Sequence, residues 1–132
     1  MTNIASHQPH RHTILMVDDD ALVINTLSKL LASRQIQVNT ASTPQEARQI
    51  MEKIVPCLLT LDLLLTKEDG SQSILDFMKS QEKLSNVPVV VLTNLDKPEL
   101  KNLLLAQGVK EYIVKGTVSL DELHQKILSH LK

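Results

Sequence analysis

Residues 57–62, Cys57-Leu58-Leu59-Thr60-Leu61-Asp62, decide how this chain reads. A short, nearly continuous apolar run ends on a carboxylate. A strand buried on both faces has this character, as in a parallel sheet covered by helices on either side. Similar short runs recur at Thr13–Val17, Ile36–Thr40, Val87–Leu92 and Val109–Val114. The run Ile36–Thr40 alternates more and is expected nearer a sheet edge.

The stretches between these runs carry helix signals. Residues 21–33 place Leu22, Leu27, Leu30 and Leu31 near one face, with Val23 and Ile24 beside them. Thr43-Pro44-Gln45-Glu46 reads as a capping box with proline at the first helical position. Asp96-Lys97-Pro98-Glu99 reads similarly, with the Asp96 carboxylate as the cap. Ser119-Leu120-Asp121-Glu122 is a further capping box, and Ser71 is expected to cap a helix over 72–82. Gly108 suits a helix C-cap before the fifth strand. Five β-α units with right-handed crossovers give a doubly wound α/β fold. In such folds the functional crevice lies at the carboxyl ends of the strands.

Length and composition agree with one domain. The chain has 132 residues, of which 42% are hydrophobic, enough for one packed core. Fourteen basic and fifteen acidic residues nearly cancel. That balance argues against a nucleic-acid-binding stripe, which needs clustered lysine and arginine. No apolar run approaches the roughly 20 residues that span a bilayer, and the N-terminus carries no apolar signal segment. The single cysteine, Cys57, allows no internal disulfide and fits a reducing, cytoplasmic setting. It is read as a small core residue. Residues 1–12 are polar and aperiodic and read as a flexible tail, with one domain over 13–132. His7, His10 and His12 lie in that tail, but no cysteine or carboxylate completes a metal site there.

The chemistry sits just past four strand ends. Asp18, Asp19 and Asp20 follow the first strand, Asp62 the third, Thr93 the fourth and Lys115 the fifth. Carboxylates gathered at buried strand ends repel one another. They become favourable around a hard divalent cation, and Mg²⁺ takes oxygen ligands while keeping several waters. Asp20 is also suited to capping the first helix. A lone carboxylate such as Asp62 among apolar neighbours needs a partner, and Lys115 can supply an ion pair. The same pair suits phosphoryl transfer. The carboxylate can attack the phosphorus and the lysine can neutralise the phosphoryl oxygens. Thr93 is placed to donate a hydrogen bond to one of those oxygens.

These residues resemble the receiver domain of two-component response regulators. The matching motifs are Val17-Asp18-Asp19, Leu61-Asp62 with Gly70 eight residues later, Val91-Leu92-Thr93, and Tyr112-Ile113-Val114-Lys115. They cover Thr13 to Lys132. The resemblance implies a flavodoxin-like, five-stranded parallel sheet in the order 2-1-3-4-5. It implies Asp62 as phosphoacceptor, with Mg²⁺ held by Asp18, Asp19, Asp62 and the backbone carbonyl of Leu64. Thr93 then matches the switch hydroxyl, Lys115 the phosphate-binding lysine, and Tyr112 the aromatic that turns inward on phosphorylation. The implied donor is a phosphohistidine on a sensor histidine kinase or a histidine phosphotransfer domain. The output is an unknown downstream protein, docked on a surface reshaped by phosphorylation or met through a phosphorylation-dependent homodimer. No direct contact with nucleic acid or membrane is implied. Such a chain is a signalling phosphoacceptor rather than a conventional enzyme, although it catalyses its own phosphotransfer and dephosphorylation.

Four departures from the family pattern bear on the chemistry. Thr66 stands where a proline is usual, four residues after the acceptor, so the loop Thr66–Asp69 is expected to be more mobile. Gly116 follows Lys115 in place of a proline joined through a cis bond. Without proline a cis bond costs about 2.5–4 kcal/mol, so trans is expected. Asn94 follows Thr93 where a very small residue is usual and can hinder the donor or bond the phosphoryl group. Leu64 and Leu95, two residues after Asp62 and Thr93, offer no polar group to orient a hydrolytic water.

Two other functions compete. A receiver-like interaction module working without phosphate draws support from Thr66, Asn94 and Gly116 and is opposed by the intact Asp62 and Lys115. A phosphohydrolase or nucleotide-binding enzyme is disfavoured, because Leu64 stands where a second acid would be and Asp18–Asp20 stand where a Gly-rich phosphate loop would be. The two leucines predict a long-lived phosphoaspartate. The decay of phosphorylated protein should quicken in Leu64→Asn or Leu95→Glu, and an unchanged lifetime in both would refute this reading.

Overall fold

Helices and strands alternate without exception. The computed structural model describes residues 12–64 and 71–131. In chain order the elements are β1 (His12–Val17), α1 (Ala21–Ala32), β2 (Ile36–Ala41), α2 (Pro44–Lys53) and β3 (Leu58–Leu61), followed by α3 (Ser71–Ser80), β4 (Val89–Thr93), α4 (Pro98–Ala106), β5 (Glu111–Val114) and α5 (Leu120–Ser129). All strand pairs are parallel, in the order β2-β1-β3-β4-β5. This is the doubly wound, flavodoxin-like α/β sheet. The alternating run Ile36–Ala41 lies at an edge, as expected. The strands begin up to two residues away from their expected starts, and β1 takes in His12, which had been assigned to the tail. Residues 1–11 and the loop Thr66–Asp69 lie outside the described residues.

Strand periodicity divides the interior into two cores. Leu15, Val17, Leu59, Leu61 and Val91 face the layer holding α2, α3 and α4. Ile14, Met16, Leu58, Val90 and Leu92 face the layer holding α1 and α5. In α1 the buried positions are Leu27 and Leu31, with Leu30 and Val23 packed beside them. Leu22 departs from the expected apolar face. It is 71% exposed, because nine residues at about 100° each put it on the side of α1 opposite Leu31, away from the core.

The caps show where local chemistry prevailed. Asp20 caps α1 by accepting from the Val23 backbone N–H, and Ser119 with Glu122 closes a full capping box on α5. Thr43 caps α2 by accepting from the Glu46 N–H at 3.1 Å. The Glu46 carboxylate is held chiefly by Ser42, accepting from its backbone N–H and hydroxyl at 2.9 and 2.8 Å. The expected cap at Asp96 is absent. Pro98 occupies the first turn of α4 and makes Lys97 the N-cap, with no side-chain bond. Ser71 is the first helical residue of α3 rather than its cap. Cys57 is exposed, one residue before β3, and so is not a core residue. Its N–H donates to the Thr13 carbonyl at 2.7 Å, so its backbone is used while its thiol faces out. At the other sheet edge Glu111 ties β5 to the last helix through Lys126 at 3.0 Å and His130 at 2.8 Å.

The turn from α4 into β5 needs a glycine. Gly108 has φ +107°. The Val109 N–H reaches back to the Leu104 carbonyl and the Gly108 N–H to that of Leu105, both at 3.1 Å. This is the paired closure of a Schellman motif. A Cβ on Gly108 would meet nothing within 4 Å, so a substitution there is opposed by backbone conformation alone. Gly108→Ala is therefore expected to lose about 1–2 kcal/mol in urea unfolding, with native spectra retained.

Candidate functional site

Parallel register brings the strand-end residues together. Val17 pairs with Leu61, Leu61 with Val91, and Thr93 with Val114. The ladder runs one residue beyond three of the strands. The Asp18 N–H donates to the Ala41 carbonyl at 2.9 Å, that of Asp62 to Val17 at 2.9 Å, and that of Lys115 to Thr93 at 2.7 Å. The backbones of Asp18, Asp62 and Lys115 are thus fixed by the sheet, not by loops.

Their side chains meet in one pocket. Lys115 Nζ lies 2.9 Å from Asp18 Oδ2, 3.3 Å from Asp62 Oδ2 and 3.7 Å from Asp20 Oδ2. Asp18 is 2% exposed and Asp62 5%. Asp18 Oδ1 also accepts from the Asp20 N–H at 2.8 Å, and Asp62 Oδ1 from the Leu64 N–H at 3.0 Å. Asp20, expected in the acid run and suited to capping, does both: it caps α1 and faces the lysine. No residue-type signal distinguished those two uses.

The pocket holds more negative charge than its one ammonium balances. Burial pushes the Asp18 carboxyl above its ordinary value, and neighbouring Asp62 adds to this, against the opposing pull of Lys115 and the Asp20 N–H. Burial also works against the Lys115 ammonium, but Asp18 and Asp62 outweigh it and hold the lysine above its ordinary value. Both groups therefore grip their protons more tightly, Asp18 chiefly through burial and Lys115 through its carboxylate neighbours.

The donor chemistry fits a hard cation. Asp18, Asp19 and Asp62 each bring a carboxylate oxygen to within 4.8 Å of the others. Asp19 is exposed, so the cluster opens to solvent on one side. Oxygen donors with surplus negative charge suit Mg²⁺ rather than a softer metal. Leu64 lies at the rim and is 50% exposed.

A second constellation adjoins the pocket. Thr93 is fully buried, and its Oγ1 accepts from the Leu95 N–H at 3.3 Å. Tyr112 is buried too, and its hydroxyl donates to the Leu95 carbonyl. Burial pushes the Tyr112 hydroxyl above its ordinary value. Its ring is turned inward. Leu95 thereby has both backbone groups held by side chains. Residue identity carries no sign of this, since nearly any residue type supplies the same N–H and carbonyl. Asn94 is exposed beside it. The Lys115–Gly116 bond is trans, as expected, and Gly116 has φ +86°, which a proline could not adopt. Thr66 and Gly70 lie outside the described residues.

Known proteins match this arrangement. The family model for the response regulator receiver domain matches residues 14–128. The probable transcriptional regulator ycf27 of Porphyra purpurea is 34% identical over 122 residues, covering 92% of this chain and 48% of that protein. A protein-glutamate methylesterase/protein-glutamine glutaminase of Cupriavidus metallidurans is 29% identical over 113 residues, covering 83% of this chain and 30% of that protein. The chain thus spans less than half the length of these curated relatives. Among solved structures, the phosphorylated cyanobacterial phytochrome response regulator RcpA superposes with a TM-score of 0.75 at 28% identity, covering 91% of this chain and 90% of that one.

The ion pairs generate a stability test. Lys115→Met leaves the buried Asp18 and Asp62 without their cation. It should lower the unfolding free energy by about 3–5 kcal/mol in chelator-treated buffer. Asp62→Asn in the same background should restore part of the loss, as read from urea midpoints.

Proposed function

The chain belongs to the response regulator receiver domain family, and from that premise we propose that Asp62 is its phosphoacceptor in two-component signalling. The observation that carries the assignment is the buried Asp62 carboxylate, 3.3 Å from Lys115 and clustered with Asp18 and Asp19 at the strand ends. A receiver domain implies a histidine kinase or phosphotransfer partner, so the donor is a phosphohistidine. An Asp62 oxygen attacks the phosphorus. The new O–P bond forms as the P–N bond breaks, and the imidazole leaves with the electron pair and takes up a proton from solvent.

Each neighbour has a part in that transfer. Mg²⁺ would be held by Asp18, Asp19, Asp62 and the Leu64 carbonyl, and would supply charge neutralisation at the phosphoryl oxygens. Lys115 exchanges an Asp62 oxygen for a phosphoryl oxygen and keeps its bond to Asp18. Thr93 uses its hydroxyl oxygen as acceptor for Leu95, which leaves its proton to donate to the phosphoryl group. Drawing Thr93 inward would pull on Leu95 and, through the Leu95 carbonyl, on Tyr112. The change would reach the face formed by α4, β5 and α5, where Leu103 and Leu105 are exposed for a downstream partner. The partner's identity, a homodimer formed on phosphorylation and a cytoplasmic setting are parts of the same reading. Among the described residues no helix is long and apolar enough to cross a membrane.

Self-catalysed hydrolysis would be slow. Leu64 at the rim and the half-buried Leu95 present no polar side chain to an incoming water. A second reading, an interaction module working without phosphate, is favoured by one observation: Tyr112 is held inward by the Leu95 carbonyl.

Incubating the protein with a small phosphodonor and Mg²⁺ separates the two readings. The intact mass should rise by one phosphoryl group. The gain should require Mg²⁺ and should disappear in Asp62→Asn. If no mass is gained, Asn94→Ala with a phosphohistidine donor tests for blocked access. Failure there as well would leave the phosphate-independent module.

A further inference from the structure

At the end of the domain away from the acid pocket, the C-terminal ends of α2 and α3 border a groove of about 410 Å³. Its floor is apolar: Met51 and Leu84 are buried, and Phe77 is half-buried. Ile54 and Val55, just past α2, stand 38% and 47% exposed at its mouth. Each lip carries a Glu-Lys pair, Glu52-Lys53 on one side and Glu82-Lys83 on the other. All four charged residues are exposed, and none forms an ion pair with another described residue.

We propose that this groove is where two copies of the chain associate. An interface built on a two-fold axis uses the same patch twice, so the patch must complement itself. An apolar strip does so by burial. Lips that each carry both signs and sum to zero do so by charge, because each carboxylate of one copy can be set against an ammonium of the other. A strongly acidic or basic partner would meet as much repulsion as attraction across these lips. Charge therefore selects a second copy over a polarised peptide or nucleic acid. The carboxyl ends of the strands, with Asp18, Asp62 and Lys115, point away from the groove. Association here leaves the phosphoacceptor open and does not depend on its state.

Sedimentation of the full chain over a concentration series up to about 1 mM tests the proposal. In the absence of phosphodonor the wild type should form dimers with or without Mg²⁺, and Asp62→Asn should dimerise alike. Lys53→Glu with Lys83→Glu makes both lips acidic, and Glu52→Lys with Glu82→Lys makes both basic. Each variant alone should dissociate at least about 10-fold more readily, and an equimolar mixture of the two should recover dimers. Val55→Asp should remove the dimer in the wild type and in the mixture. These positions are exposed, and unchanged circular dichroism confirms folding. A wild type that stays monomeric throughout overturns the proposal. So does a dimer that survives both lip variants or Val55→Asp, since it would lie on another face, and so does a mixture that stays monomeric.

Discussion

One ammonium set against the buried carboxylates Asp18 and Asp62 holds the functional end of this molecule together. Removing a charge from water costs several kcal/mol, and the cost is recovered only where partners are close and the remaining hydrogen bonds are made. Lys115 meets the first condition at 2.9 and 3.3 Å. The Asp20 and Leu64 N–H groups meet the second. The balance is left incomplete, because two buried carboxylates and the nearby Asp20 share one lysine. That deficit distinguishes the pocket from a structural ion pair. Added positive charge can be accommodated there without rebuilding the backbone.

The sheet makes this arrangement affordable by fixing the backbones one step beyond the strands. The neighbouring Thr93, Leu95 and Tyr112 are arranged differently. They form a chain of contacts through a loop backbone, in which one hydroxyl accepts from Leu95 and another donates to it. A displacement at Thr93 would therefore be passed to Tyr112 through Leu95. Coupling through a shared backbone residue would give the proposed switch its route from Thr93 to Tyr112.

Most of this was legible because parallel strands buried on both faces leave a distinctive apolar run, and because strand ends converge by topology. Asp18, Asp62, Thr93 and Lys115 could be brought to one place on paper for that reason. What was not legible depended on geometry within a turn. Leu22 belongs to the apolar run that opens α1, yet it lies on the side of the helix opposite Leu31, while Val23 beside it packs on the core. Asp96 looks like a cap, yet Pro98 makes Lys97 the residue at that position. Cys57 continues the apolar run of β3, yet it lies outside the strand with its thiol in solvent. The double hold on Leu95 passes through backbone atoms and so leaves no trace in residue identity.

The distance along the chain between Asp18 and Lys115 is 97 residues. A ribosome delivers the carboxylates of β1 and β3 long before the lysine of β5. Until β5 emerges, the ends of the two central strands cannot close over Asp18 and Asp62 without burying uncompensated charge. The nascent chain is thereby kept open at the very end that later carries the chemistry. Closure waits for β5, so the domain withholds its acid pocket until its fifth strand is present.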